Sequence, residues 1–86
     1  MAKYQLRIKK SAEKELAQLP VHYILSIRNH IVSLADTPFP SGYKKLKGFK
    51  NLYRTRIGDY RVIYTVEQSI LIIEILKIGN RKDVYK

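Results

Sequence analysis

The patterning of this chain predicts an α+β fold in the order β-α-α-β-β-β: an antiparallel sheet with two N-terminal helices packed on one face. Three observations carry that expectation. Residues 3–9 alternate apolar and polar side chains, residues 11–35 place apolar positions at helical spacing, and residues 51–78 hold three alternating runs separated by short turn-like pairs. Eighty-six residues suit one domain, taken as 1–86, with no repeat, linker or low-complexity tract.

In the first strand Tyr4, Leu6 and Ile8 face one way, and Lys3, Gln5, Arg7 and Lys9 the other. Ser11 is placed to cap a first helix, with Glu13 and Glu15 favouring its N-terminus electrostatically. Ala12, Leu16 and Leu19 form its narrow apolar stripe, and Pro20 both breaks it and opens a second helix over about 20–35. There Val21, Ile24, Leu25, Ile27, Ile31, Val32, Leu34 and Ala35 fill one apolar arc that also contains Arg28. Arg28 is either a side chain that lays its stem over apolar surface or the mark of a partner groove left open.

Residues 36–43, DTPFPSGY, read as loop, and the basic segment KKLKGFK follows. Strands are expected at about 51–57, 60–66 and 70–78, with Gly58 and Asp59 as one hairpin tip and Glu67 and Gln68 as a weaker second. The first tip pairs Ile57 with Tyr60, Arg56 with Arg61, Arg54 with Ile63 and Tyr53 with Tyr64. Tyr53, Thr55, Ile57, Tyr60, Val62 and Tyr64 then share the helix side, and Arg54, Arg56 and Arg61 the other. The second tip would add Leu71, Ile73 and Ile75 to the apolar side and set Glu74 opposite Arg61.

Charge narrows the choice of partner. Seventeen Lys and Arg against seven Asp and Glu give a net charge of +10 and a pI near 10, and most of the excess lies after residue 40. Such a field favours a polyanion. Opposed like charges destabilise a sheet by some tenths of a kcal/mol. An Arg56–Arg61 pair is therefore hard to explain by folding alone. A solvated outer face is the plain reading. The use of arginine, whose planar fork suits bidentate phosphate contacts, favours a phosphate-binding face. Lys44, Lys45, Lys47 and Lys50 lead straight into it, and Arg81, Lys82 and Tyr85 follow the last strand.

Other chemistries have little to rest on. With no cysteine, disulfides and thiolate metal sites are excluded. His22 and His30 have no matching ligands for a metal, and no phosphate-loop or Ser/His/Asp pattern occurs. The longest apolar run, Ile70 to Ile73, cannot span a bilayer, and the charged start lacks a signal-peptide pattern. A cytoplasmic protein without membrane contact or small-molecule cofactor is expected.

The ordered set of motifs resembles the RelE/ParE superfamily of bacterial toxins. It comprises K-L-K-G at 45–48, Y-R-x-R at 53–56, G-D-Y-R-V-I-Y at 58–64 and I-G-N-R-K-D-V-Y at 78–85. The closing motif looks more like the RelE branch, whose members cleave mRNA on the ribosome. That resemblance implies a RelE-like fold and an acidic cognate antitoxin, with ribosome and mRNA as further partners. Arg61 and Arg81 match the family's phosphate-stabilising arginines, and Tyr85 its C-terminal tyrosine. Arg54 and Arg56 stand where well-studied relatives carry lysines, and Asn80 where many carry histidine. A guanidinium cannot act as a base near neutral pH. Tyr85 is therefore the main candidate for proton transfer, with Lys47, Lys82 and Glu74 as poorer ones. The alternatives are a ParE-type gyrase inhibitor without nuclease activity and a non-catalytic nucleic-acid-binding module.

Overall fold

The computed structural model describes residues 3–80. Two helices, α1 (Lys10–Ala17) and α2 (Val21–Leu34), lie between strand β1 (Gln5–Ile8) and strands β2 (Lys44–Lys45), β3 (Leu52–Ile57), β4 (Tyr60–Glu67) and β5 (Ile72–Asn80). The five strands form one sheet in the order β1-β5-β4-β3-β2. The architecture is the expected α+β arrangement, with two differences in the sheet. The basic segment contributes the short strand β2, and β1 runs parallel to β5. The sheet is therefore mixed rather than antiparallel. Alternation in a four-residue strand says which face is buried but not which way the strand runs.

Both helices bury their apolar sides against one face of the sheet. Ala12 and Leu16 from α1, and Ile27, Ile31 and Leu34 from α2, meet Val62, Tyr64, Val66, Ile73, Ile75 and Ile78, with Tyr4 at the margin. Pro20 stands just before α2 with an extended backbone, as its fixed φ allows. The expected cap at Ser11 is not formed. Lys9 is the residue before α1 and Ser11 lies inside the helix, because β1 ends at Ile8 and the chain turns at once.

The β3–β4 hairpin has the expected register throughout, from Ile57 opposite Tyr60 to Tyr53 opposite Tyr64. Gly58 has φ of 58° and Asp59 is not in the left-handed region, the pattern of a turn that requires glycine first. A Cβ at Gly58 would also lie 3.4 Å from the Tyr23 ring, so the tip is closed against α2.

The β4–β5 pairing departs from expectation. Four residues, 68–71, make the turn, and Leu71 takes a left-handed φ of 55°. A register shift between Ile63 and Tyr64 then changes the pairing again along the ladder. Arg61 consequently lies opposite Gly79, while Glu74 lies between Thr65 on β4 and Arg7 on β1. Glu74 therefore does not lie opposite Arg61, and the arginine beside it is Arg7 on β1. The bulge keeps Ile75 and Ile78 both in the core although they are three residues apart.

Beyond Ile75, β5 has no β1 residue beside it. There the N–H of Ile78 donates to Glu15 Oε1 at 3.0 Å, and Lys77 Nζ approaches Glu15 Oε2 at 3.7 Å. A carboxylate from α1 thus takes the place of the missing strand.

Candidate nucleic-acid interface

Strand pairing sets the candidate site. Lys44 lies opposite Arg54, Arg54 opposite Ile63, and Arg56 opposite Arg61. Directly paired residues share a face and alternate residues share it again. Lys44, Arg54, Arg56 and Arg61 therefore stand on the face turned away from the helices. Their floor is apolar: Ile63, on this same side, is only 6% exposed. Arg56 is exposed, and its Nε donates to the carbonyl of Gly58 at 3.1 Å, which holds the guanidinium at the hairpin tip. Arg61 is half-buried and its Nε is shielded from solvent. Its neighbour on β5, Gly79, has no side chain to crowd it. Among the described residues no carboxylate pairs with Arg54 or Arg56.

Not every expected cation joins this face. Lys45 is paired with Tyr53 and so falls on the helix side, and Lys47 and Lys50 lie in the loop between β2 and β3. Arg81, Lys82 and Tyr85 lie outside the described residues. Among the described residues there is no group of three or more potential metal ligands, and no helix is long and apolar enough to cross a membrane.

The opposite side of β3 and β4 is structural. Tyr64 is fully buried, and its hydroxyl donates to the carbonyl of Pro38 at 2.7 Å. Burial, reinforced by the neighbouring Tyr53 and Tyr43 phenols, holds its pKa far above the ordinary tyrosine range. Tyr60 packs edge-on to Tyr23 with ring centres 4.7 Å apart. The tyrosines assigned to the core thus serve it.

Thr55 is a buried polar side chain, bonded through Oγ1 to His30 Nε2 at 2.7 Å. His30 joins α2 to the strand that carries Arg54 and Arg56. Burial lowers its pKa from 6.5. Folding therefore disfavours the charged ring. The resulting stability is complete above about pH 6.5, where both states are neutral, and declines as pH falls towards the lowered folded value. A urea titration at falling pH should show this decline in the wild type and a flatter profile in His30→Gln. Thr55→Val, which strands a buried ring nitrogen, should cost about 1–3 kcal/mol at neutral pH.

One feature was read in the sequence only as an alternative, and a second went unread. Val21, Leu25 and Val32 are 84, 64 and 58% exposed, so three of the eight residues of the apolar arc stay out of the core. With Arg28 they form a stripe at spacings of four, three and four along one side of α2. Arg28 also lines a groove of about 410 Å³ with Ile8, Glu13, Leu16, Ala17 and Ile24. Helical periodicity cannot distinguish core from docking surface, and Arg28 within the arc was the available sign. The second feature is Phe49, 61% exposed among lysines.

A small mixed sheet with two helices on one face is the arrangement of a known toxin class. The sequence profile of the ParE toxins of type II toxin–antitoxin systems (parDE) matches residues 6–85. The protein named RelE1 in Methanocaldococcus jannaschii is 37% identical over 98% of this chain and 97% of its own length. The RelE chain of the archaeal RelE–RelB complex from Pyrococcus horikoshii superposes with a TM-score of 0.83. It is 34% identical, with 95% of this chain and 99% of that one covered. Isolated Escherichia coli RelE shares the fold, with a TM-score of 0.77 at 23% identity over 95% of this chain and 90% of that one. This chain belongs to the RelE/ParE superfamily, as a RelE-type toxin of a type II toxin–antitoxin system.

Proposed function

We propose that the toxin is a ribosome-dependent mRNA endoribonuclease acting in the cytoplasm. The observation that carries this reading is the face bearing Lys44, Arg54, Arg56 and Arg61, with Arg56 directly opposite Arg61. In the proposed reaction the 2′-oxygen of a ribose attacks the adjacent phosphorus and loses its proton. The bond to the 5′-oxygen breaks, and that oxygen gains a proton. The products are a 2′,3′-cyclic phosphate and a 5′-hydroxyl. Guanidiniums stabilise the negative charge that builds on the non-bridging oxygens. They cannot take the 2′ proton; we assign that transfer to Tyr85, whose phenolate form would accept it and whose phenol would then return it to the departing 5′-oxygen, with Arg81 and Lys82 as further phosphate contacts. A ribosome programmed with a short mRNA tests this: a cyclic-phosphate product supports cleavage, and intact mRNA sinks it.

The match to the ParE profile favours a second reading, gyrase inhibition without cleavage. Loss of supercoiling activity with mRNA left intact would select it.

The cognate antitoxin is proposed to be an acidic RelB-type protein, as in the complex that the Pyrococcus horikoshii relative forms. We assign one of its apolar segments to the stripe of Val21, Leu25, Arg28 and Val32. Burying a Leu or Val side chain is worth about 1.5–3 kcal/mol. Leu25→Glu combined with Val32→Glu should therefore weaken antitoxin binding by about 10²- to 10⁴-fold in a calorimetric titration. Both positions are exposed, so the free toxin should melt as the wild type does.

A further inference from the structure

The loop between β2 and β3 combines a backbone anchored at both ends, a dense positive charge and an unburied aromatic ring. Leu46 N–H donates to the carbonyl of Leu52 at 2.9 Å and Val66 N–H to that of Asn51 at 3.1 Å, which ties both ends of the loop to the sheet. Gly48 and Asn51 take left-handed φ values of 82° and 58°, so the turn is a defined conformation. Phe49, between them, is 61% exposed and joins neither the core nor any ring pair among the described residues. Tyr43 differs, because it packs against Phe39 and Tyr53.

Phe49 contributes little to folding, since it leaves most of its apolar surface in water. Its surroundings point to a polyanion rather than an apolar protein surface. Between Asp36 and Asp59 there is no carboxylate, while Lys44, Lys45, Lys47, Lys50, Arg54 and Arg56 all fall in that stretch. An exposed ring flanked by lysines is the combination that holds unpaired nucleotides: the cations track the backbone and the ring stacks on a base of any identity. Along β3, Leu52 and Arg56 are separated by about 13 Å of strand. Phe49 therefore belongs to the loop at the end of β3 away from the opposed Arg56–Arg61 pair.

We propose that Phe49 is a base-stacking subsite for single-stranded RNA, distinct from the arginine face, with Lys47 and Lys50 holding the flanking phosphates. It extends the reading of the chain as an RNA-directed toxin but requires only RNA binding, not cleavage.

Fluorescence anisotropy of the full chain with a labelled, unstructured RNA oligonucleotide tests it. Phe49→Ala should weaken binding by about 5- to 150-fold. Phe49→Leu, apolar but without a π-face, should behave like alanine, and Phe49→Trp should bind at least as well as wild type. The salt dependence should be unchanged in Phe49→Ala and shallower in the Lys47→Ala, Lys50→Ala double variant, because only the latter loses phosphate contacts. An RNA duplex, whose bases are already stacked, should show no dependence on Phe49. Wild-type affinity in Phe49→Ala, or in Phe49→Leu, would overturn the stacking role. So would equal dependence with the duplex, or no binding by the wild type at low salt. Cleavage on ribosomes is scored separately. Stacking that persists without cleavage removes only the nuclease reading, and cleavage with unaltered binding in Phe49→Ala removes only the subsite.

Discussion

Arg61→Ala should lower ribosome-dependent mRNA cleavage by about 10²- to 10³-fold, the usual cost of removing one prepositioned donor to a developing oxyanion. Arg61 is the arginine best placed for that role. It sits on β4 between β3 and β5, half-buried, with its Nε shielded and only Gly79 beside it on β5. Arg56 is exposed and already engaged with Gly58, so its removal should cost less. Stability should change little. Relieving the Arg56–Arg61 opposition is worth some tenths of a kcal/mol and offsets part of what the side chain's own contacts contribute, so the melting temperature of Arg61→Ala should stay close to that of the wild type. Loss of activity with an intact fold is the signature sought. Arg61→Lys keeps the charge but loses the fork, and should fall between alanine and wild type. A variant Arg61→Ala that cleaves at the wild-type rate would remove the phosphate clamp from the mechanism.

The largest expected stability effect is at Tyr64. Truncating this fully buried ring to alanine should cost about 3–5 kcal/mol, a large share of the stability of so small a domain. The ring is part of the core cluster, and its hydroxyl also ties the 36–43 loop to the sheet through Pro38. Tyr64→Phe separates the two contributions. It keeps the packing but removes the donor to a part-buried carbonyl, so a loss of about 1–2 kcal/mol is expected in urea unfolding. An unchanged midpoint in Tyr64→Phe would mean that the hydrogen bond contributes nothing net.

The sequence was most legible where a local rule dictated geometry. Gly58 and Asp59 fixed a two-residue turn, and the turn fixed the register that assembles the arginine face. It was least legible where an irregularity intervened. Ile70 and Leu71 look like strand, yet Leu71 turns into the left-handed region, and the bulge at Ile63/Tyr64 shifts the rest. Together these moved Glu74 away from Arg61. The direction of β1 was hidden because its partner lies more than sixty residues away in sequence. On α2, periodicity marked an apolar arc correctly but could not tell that Val21, Leu25 and Val32 would stay in water.

The parallel seam between β1 and β5 has a consequence for the order of assembly. Helix α1 rests on β5, and β1 has no other strand to pair with. Until β5 has been synthesised, α1 lacks its main support and β1 has no place in the sheet. At about 5–20 residues per second, several seconds separate the emergence of the first strand from that of its partner. The arginine hairpin can form earlier, but without β5 beside β4 it lacks a neighbouring strand on that side and is marginal at best. A chain interrupted before β5 would therefore be unable to present an ordered cationic face. Toxicity would arrive all at once, with the last strand.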